Sequence, residues 1–146
     1  MIFFIFILIN DDSSAGRNEK DPTGRTDPWD HECLSTMSNL HYLALNECQL
    51  GGTLDGWLPS LSNLVYLKLN ENFFVGSPIS ISSLSHLRLL ELYSNEFDKD
   101  FPFVEELLSK LPKLSEFDLN EHDTDFLSEI KEFCQDHEIS FQAYMP

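Results

Sequence analysis

The chain has 146 residues, close to the length of one domain, and 42% of them are apolar, which is enough for a hydrophobic core. Asp and Glu number 25 against 9 Lys and Arg, so the formal net charge is −16. Because such a surface repels phosphate groups, this balance argues against nucleic acids and anionic membranes as partners. The acidic excess is concentrated from Leu89 to Pro146, with fifteen Asp or Glu and four Lys. That excess favours basic partners, or it serves solubility alone.

The first segment, residues 1–15, opens with eight consecutive apolar residues after the initial Met. That run is too short to span a bilayer, which needs about 20 residues. It has the length of the apolar part of a signal peptide, with Ser13 and Ala15 as small residues before a cleavage point. This interpretation favours a secreted or membrane-associated extracellular location. No basic residue precedes the run, however, and Asp11 and Asp12 are unusual near a cleavage point. A truncated gene model or an apolar tail, and a cytoplasmic location, are the alternatives.

Residues 16–27 contain almost no apolar side chains, so they predict a disordered linker that leads into a single domain at 28–146. The chain has three cysteines, Cys33, Cys48 and Cys134, and no CxxC motif. Because the number is odd, at least one thiol has no partner within the chain. The cysteines therefore predict neither a disulfide framework nor a structural zinc site.

A repeated pattern of leucines dominates the domain. The segments Leu40–Cys48, Leu64–Asn72 and Leu87–Asn95 have the form LxxLxLxxN, with Cys replacing Asn in the first, and Leu114–His122 is a degenerate fourth copy. Successive copies begin 24, 23 and 27 residues apart, within the range of about 20–29 residues that is typical of leucine-rich repeats. A helix would place apolar residues at i, i+3 and i+4, but it does not account for the added leucine at i+5 or the asparagine at i+8.

The pattern predicts which side of each short strand is buried. Since alternate side chains of a strand point to opposite faces, two residues of each copy point inward and stack on those of the next copy: Leu43, Leu45, Leu67, Leu69, Leu90, Leu92, Phe117 and Leu119. The first leucine of each copy fills the bend into the strand. Asn72 and Asn95 are expected to hydrogen-bond backbone groups of the turn, and Cys48 is a small buried substitute at the same position of the first copy.

These segments resemble the plant-type leucine-rich repeat, LxxLxLxxNxLxGxIPxxLxxLxx. The resemblance continues through Leu50–Leu54, Asn72–Pro78 and Asn95–Pro102 and covers roughly residues 34–126. It implies an α/β solenoid with a parallel sheet on the concave side and short helical or extended turns on the convex side. Proteins with this repeat occur as receptor ectodomains, inhibitors and defence-related scaffolds, and they bind proteins or peptides.

Both ends of such a solenoid must be closed, because an open end exposes the apolar core. The resemblance implies an N-terminal cap with a Trp and a cysteine pair. Trp29 and Cys33 correspond to parts of that cap, but the second cysteine of the pair is missing. We expect Trp29, Leu34 and Met37 to cover the N-terminal end.

Two helices are predicted in the C-terminal part. Residues 123–146 are expected to form a cap, in which a helix buries one apolar face and a short strand follows. That face contains Phe126, Leu127, Ile130, Phe133 and Cys134, and the strand contains Ile139 and Phe141. A second helix behind the fourth strand accounts for the longer 27-residue spacing, and its apolar face contains Phe103, Val104, Leu107, Leu108 and Leu111.

No motif for catalysis is present, because the chain lacks the GxSxG, Walker, HExxH and Gly-rich nucleotide patterns. We therefore expect neither an enzyme nor a cofactor. His122, Asp123 and Asp125 could suggest a cation site, since clustered carboxylates suit calcium. Acidic residues at the start of a helix are more often caps and dipole partners, so no metal site is predicted.

The concave face is the candidate site for partner binding. Strand alternation points four columns of side chains outward: Tyr42, Tyr66, Leu89 and Glu116; Ala44, Lys68, Glu91 and Asp118; Asn46, Asn70, Tyr93 and Asn120; and Glu47, Glu71, Ser94 and Glu121. Exposed aromatic residues on a sheet resemble interface anchors, although tyrosines also suit strands by propensity alone. The surface grades from aromatic to acidic, so the expected partner is a protein or peptide with basic groups.

Two functions are consistent with this sequence. The first is a protein- or peptide-binding module in recognition or signalling. The second is a truncated or structural fragment of a larger leucine-rich-repeat receptor, with no binding activity of its own. Nucleic acid is not an expected partner, and membrane association is expected only if residues 1–15 are retained.

Overall fold

A computed structural model describes residues 3–6, 32–98, 101–120 and 124–144. Its main feature is a six-stranded parallel sheet, called here the long sheet. In spatial order its strands are β1 (Phe3–Phe6), β2 (Leu40–Ala44), β4 (Tyr66–Lys68), β6 (Leu89–Glu91), β8 (Glu116–Asn120) and β9 (Ser140–Tyr144). A three-stranded parallel sheet, the short sheet, contains β3 (Gly51–Gly52), β5 (Phe73–Gly76) and β7 (Glu96–Phe97). This arrangement confirms the predicted α/β leucine-rich-repeat solenoid.

The core is built from the inward-pointing residues of the long sheet. Leu43 lies opposite Leu67, Leu67 opposite Leu90, and Leu90 opposite Phe117, so equivalent residues stack from strand to strand. All eight residues predicted to point inward are buried, as are the first leucines of the four copies. The Phe141 ring continues the stack, with its centroid 5.5 Å from that of Phe117. Burial of this continuous apolar column is the main stabilising contribution to the fold.

The side of the molecule behind the long sheet is made of short elements. Two 3₁₀ helices, Leu58–Ser60 and Pro78–Ser83, each carry a proline near the start, where its missing N–H group breaks no helical hydrogen bond. Along the chain, β3 and β5 of the short sheet each follow a strand of the long sheet and precede one of these 3₁₀ helices. Gly76, at the end of β5, has a φ of 76°, a left-handed conformation that glycine adopts without strain.

A ladder of buried asparagines connects neighbouring repeats. The Asn72 side-chain oxygen accepts hydrogen bonds from the backbone N–H groups of Cys48 at 3.2 Å and Leu50 at 3.0 Å, and its amide nitrogen donates to three carbonyls. Asn95 repeats this arrangement one copy later, accepting from the Phe74 N–H group at 3.1 Å. Cys48 is buried at the equivalent position of the first copy. The predicted roles of these three residues are confirmed.

Two helices close the C-terminal part of the solenoid. The predicted helix behind the fourth strand is α2 (Phe101–Ser109), and the predicted cap helix is α3 (Thr124–Asp136), which contacts both α2 and β9. Ile130 and Cys134 of α3 are buried in the core. Leu111 is also buried, but it follows α2 in a turn rather than belonging to it.

The N-terminal end differs from the expectation in two respects. A short helix, α1 (Glu32–Ser35), buries Leu34, but Met37 is 37% exposed, so the prediction that Met37 covers the core is wrong. Met37 lies in the turn after α1, where its backbone bonds to Leu34 and Leu40 hold it at the surface. Residues 3–6 form β1, which pairs in parallel with β2. Trp29 and the predicted linker lie outside the described residues. Within the described ranges, no helix is long and apolar enough to cross a bilayer.

Candidate protein-binding surface

The strand register aligns the predicted outward columns across the long sheet. Tyr42, Tyr66, Leu89, Glu116 and Ser140 lie opposite one another in turn, as do Ala44, Lys68, Glu91, Asp118 and Gln142. We call the surface formed by the outward-pointing residues of the long sheet the concave face. Ser140 and Gln142 extend the predicted columns by one strand, and the alternation of Ile139 and Phe141 is the sequence signal for that strand.

An aromatic cluster lies at the β2 and β4 end of the concave face. The ring centroids of Tyr42 and Tyr66 are 5.8 Å apart, with an angle of 39° between the ring planes. Tyr66 is 39% exposed, while Tyr42 and Leu89 are partly buried. Tyr93 is also partly buried, in the third column. An exposed ring supported by a second ring is already held in place, so it can be covered by a partner at a low cost in conformational entropy.

A polar cluster occupies the centre of the same face. The ammonium group of Lys68 lies 2.6 Å from Oε1 of Glu91, and the amide nitrogen of Asn70 donates to Oε2 of Glu91 at 2.5 Å. Asn70 is 1% exposed although its amide bonds to the outward-pointing Glu91. Its side chain therefore lies on the predicted face but is covered by its neighbours. The Oδ1 atoms of Asn46 and Asn70 are buried and have no hydrogen-bond partner among the described residues.

Negative charge exceeds positive charge in this polar cluster. Burial raises the pKa of Asp118 to about 6, and repulsion from Glu91 and Glu116 adds to that rise, while Lys68 opposes it. Burial by itself would lower the pKa of Lys68, but its hydrogen bond and attraction to Glu91, with smaller contributions from Tyr42 and Asp118, raise it above the usual value. The acidic groups therefore outweigh the one ammonium group that acts on Asp118.

The fourth predicted column lies at the point where each strand turns into the next loop. Glu47, Glu71 and Ser94 are exposed and have φ angles of 55°, 57° and 54°. Each precedes the Cys or Asn of its copy, whose buried bonds hold the backbone in this left-handed conformation. The side chain of Asn120 and the whole of Glu121 lie outside what the structure describes, so their predicted places at the acidic end of the face stay predictions.

The described residues outside the concave face include a shallow depression and a buried thiol, but neither has the features of a binding or catalytic site. A shallow depression on α3 is lined by Glu129, Glu132, Phe133 and Asp136, remote in sequence from the predicted columns. Burial raises the pKa of the Cys134 thiol to about 11, so this thiol is protonated at neutral pH and is a poor nucleophile. Among the described residues no group of three or more His, Cys, Asp or Glu could hold a metal ion. His122 and Asp123 are not described.

Comparison with known proteins points to relatives in plants. A stretch of 73 residues is 34% identical to Receptor-like protein 39 of Arabidopsis thaliana, and 69 residues are 37% identical to Receptor-like protein 19 of the same plant. These matches support the resemblance to plant-type leucine-rich repeats. The matches cover 49% and 47% of this leucine-rich-repeat chain, but they span only 8% and 7% of the two relatives.

Solved structures include a more distant likeness. An internalin from Listeria monocytogenes has a TM-score of 0.48 and 17% sequence identity, over 80% of this leucine-rich-repeat chain and 39% of the internalin chain. No protein-family model matches the sequence. The repeat is therefore recognised from the spacing of its leucines and asparagines and from the parallel register of the long sheet.

Proposed function

We propose that this leucine-rich-repeat chain binds a protein or peptide through the concave face and carries out no catalysis. One observation carries the proposal: the strand register brings a partly exposed tyrosine pair and a charged cluster side by side on one surface. Aromatic anchors beside polar groups are typical of protein interfaces. The names of the two Arabidopsis relatives support a place in recognition or signalling.

The size of the concave face limits the kind of partner. Six strands at a spacing of about 4.8 Å and about five residues per strand give a face of roughly 29 Å by 16 Å, or about 460 Å². A standard interface buries about 800 Å² on each partner. A short peptide with basic and apolar residues fits these dimensions, because it can place an apolar group on Tyr42 and Tyr66 and a cation near Asp118.

A peptide-display selection against the full chain tests this proposal. Recovered peptides should carry Lys or Arg together with an aromatic or aliphatic residue. Replacing Tyr66 with Ala should then raise the dissociation rate about tenfold, which corresponds to roughly 1.4 kcal/mol. Phe73→Ala is the matched control, since Phe73 is 40% exposed but lies in the short sheet. If Phe73→Ala weakens binding and Tyr66→Ala does not, the interface lies elsewhere and the proposal is wrong.

The second candidate function is that of a fragment, and the coverage of the relatives favours it. The chain spans less than a tenth of the length of the receptor-like proteins it matches. A segment of a larger receptor would bind its ligand only together with neighbouring repeats. An in-frame run of further repeats in the genomic sequence upstream would support this candidate, whereas a peptide bound tightly by the isolated chain would contradict it.

The division of the chain into a removable segment at 1–15, a linker at 16–27 and a domain at 28–146 is also a proposal. The pairing of β1 with β2 favours a different arrangement, in which residues 3–6 stay in place as the first strand of the long sheet. N-terminal sequencing of the secreted protein distinguishes the two. A start near Gly16 would support removal, and a protein that still begins with Met1 would support retention.

A further inference from the structure

Two buried acceptors on the concave face have no donor. Asn46 and Asn70 lie at equivalent positions, two residues beyond the ends of β2 and β4, and the Oδ1 atom of each has no hydrogen-bond partner in the described ranges. Asn70 is otherwise fixed, because its amide nitrogen donates to Glu91. A buried polar atom without a partner costs free energy. A ligand that donates a hydrogen bond to this atom removes that cost, and the complex is stabilised accordingly.

Acidic groups lie on one side of these acceptors, on β6 and β8, and the Lys68 ammonium group on β4 is already paired with Glu91. Both oxygens of Glu91 already accept a hydrogen bond, one from Lys68 and one from Asn70. Asp118 lies opposite Glu91 in the register and is partly buried, and Glu116 lies two residues before it on β8. Lys68 is the one cation that acts on Asp118, against the repulsion of Glu91 and Glu116. The missing group is therefore both a hydrogen-bond donor and a cation.

We infer that the concave face binds one arginine side chain of its partner, with the guanidinium group donating to Oδ1 of Asn46 and of Asn70 and attracted at longer range by the acidic groups of β6 and β8, Asp118 among them. This inference rests on the proposed function and specifies its partner. The backbones stay paired beyond the strand ends, because the Glu47 N–H group donates to the Asn70 carbonyl at 3.0 Å. The two asparagines are therefore about one strand spacing, ~4.8 Å, apart, which the planar, five-donor guanidinium group can bridge. A lysine ammonium group is a compact, strongly hydrated point charge, so it satisfies two separated acceptors less well.

Binding requires a local rearrangement. Neither Oδ1 atom is open to solvent in the free chain, so the ligand must displace the side chains that cover these atoms. Rotamer changes of surface side chains take place in picoseconds to nanoseconds and do not limit binding. The Asn46 oxygen has no internal bond to lose, and Cys48 donates to the backbone carbonyl of Asn46, which a side-chain replacement leaves intact.

The test uses N-acetyl-arginine amide with the full, isotopically labelled chain. Nuclear magnetic resonance should show saturable shifts in the side-chain amide signals of Asn46 and Asn70. N-acetyl-citrulline amide has nearly the same shape without the charge, and N-acetyl-lysine amide has the charge without the fork. Both should need about tenfold higher concentrations for the same shift, because each lacks one half of the recognition.

Two variants distinguish the direct hydrogen bond to the guanidinium group from its longer-range electrostatic attraction. Asn46→Ala should weaken arginine binding several-fold at any salt concentration, because it removes an acceptor. Asp118→Asn should weaken binding at low salt, by a factor that shrinks as salt screens the charge. Glu105→Gln, which removes an exposed carboxylate on α2, should leave the affinity unchanged.

Several results would overturn the inference. These are equal binding of the arginine and lysine compounds, shifts confined to the depression on α3, and the same saturable shifts with calcium chloride alone. A separate result tests the proposed function. A selected peptide whose affinity depends on Tyr66 but not on Asn46 or Asp118 would leave the proposed function standing and remove the arginine site.

Discussion

At the scale of single residues, the Asp118 carboxyl has an environment that disfavours its ionised form. Burial is the main cause and repulsion from Glu91 and Glu116 adds to it, while among the described residues the attraction of Lys68 opposes it. The residue opposite it on β9, Gln142, is uncharged and does not compensate. A carboxylate that is easier to protonate in the folded protein than in the unfolded chain lowers stability when it is ionised. In the proposed function, Asp118 would therefore serve binding at some cost to folding.

This cost predicts a pH dependence. The pKa of Asp118 is raised from 3.8 to about 6, so its ionised form destabilises the fold above pH 6 and this destabilisation is gone below pH 4. Asp118→Asn should raise the free energy of unfolding at pH 7 and change it much less at pH 4. Urea denaturation of both proteins between pH 4 and pH 7 measures the difference. An equal effect at both ends of this range would show that the carboxyl charge is not the cause.

At the scale of elements, the ladder formed by Asn72 and Asn95 satisfies buried backbone groups that apolar packing cannot satisfy. The strands of the long sheet are three to five residues long, and β2 is followed by a turn in which the backbone N–H groups of Cys48 and Leu50 are buried. Apolar side chains leave those groups without a partner. Asn72 supplies both acceptor and donors, and it joins the turn after β2 to the turn after β4. The repeats are thereby connected through polar bonds as well as through the leucine core.

Removing this connection should be costly. Asn72→Ala leaves the N–H groups of Cys48 and Leu50 buried without an acceptor, and we expect it to lower the free energy of unfolding by about 3 kcal/mol or more, since each unsatisfied group costs about 1–3 kcal/mol. Asn63→Ala is the control, because Asn63 makes one exposed bond to the Ser38 carbonyl at 2.8 Å. Chemical denaturation should show a loss below about 1 kcal/mol for the control. Similar losses in both variants would contradict the ladder's role.

At the scale of the whole molecule, charge should govern the rate of encounter with a basic partner. Acidic groups at one end of the concave face steer a cationic peptide, and steering changes the association rate more than the dissociation rate. Location matters as well as net charge, because the field is strongest near its sources and is screened over about 10 Å at 0.1 M salt.

Reversing this charge tests the idea. Replacing Glu116 and Asp118 by Lys changes each charge by two and takes the net charge from −16 to −12. Association of a selected basic peptide should slow several-fold at low salt and depend less on salt. Glu129→Lys with Glu132→Lys makes the same change in net charge on exposed positions of α3. If stopped-flow association rates fall equally in both double variants, net charge rather than the concave face controls encounter.

The fold could be predicted from the sequence because its information is local and repeated. The spacing of Leu43 and Leu45, copied at 67 and 69 and again at 90 and 92, determines which face of each strand is buried, since side chains alternate along a strand. The near-constant repeat length also determines that Tyr42 faces Tyr66 and that Lys68 faces Glu91. The fold, the alignment of the columns and the ladder positions were therefore all present in the sequence.

Only the tertiary structure decided how side chains of different repeats satisfy one another. The position of Asn70 on the outward face follows from strand alternation, but its burial and its bond to Glu91, 21 residues away, do not. Leu34 is buried, whereas Met37, which the sequence predicts to cover the core, is exposed. Residues 3–6 pair with β2, and the removal of residues 1–15 stays a prediction. Each outcome depends on contacts between distant residues, which compete for the same space and the same hydrogen bonds, and no local pattern records which contact wins.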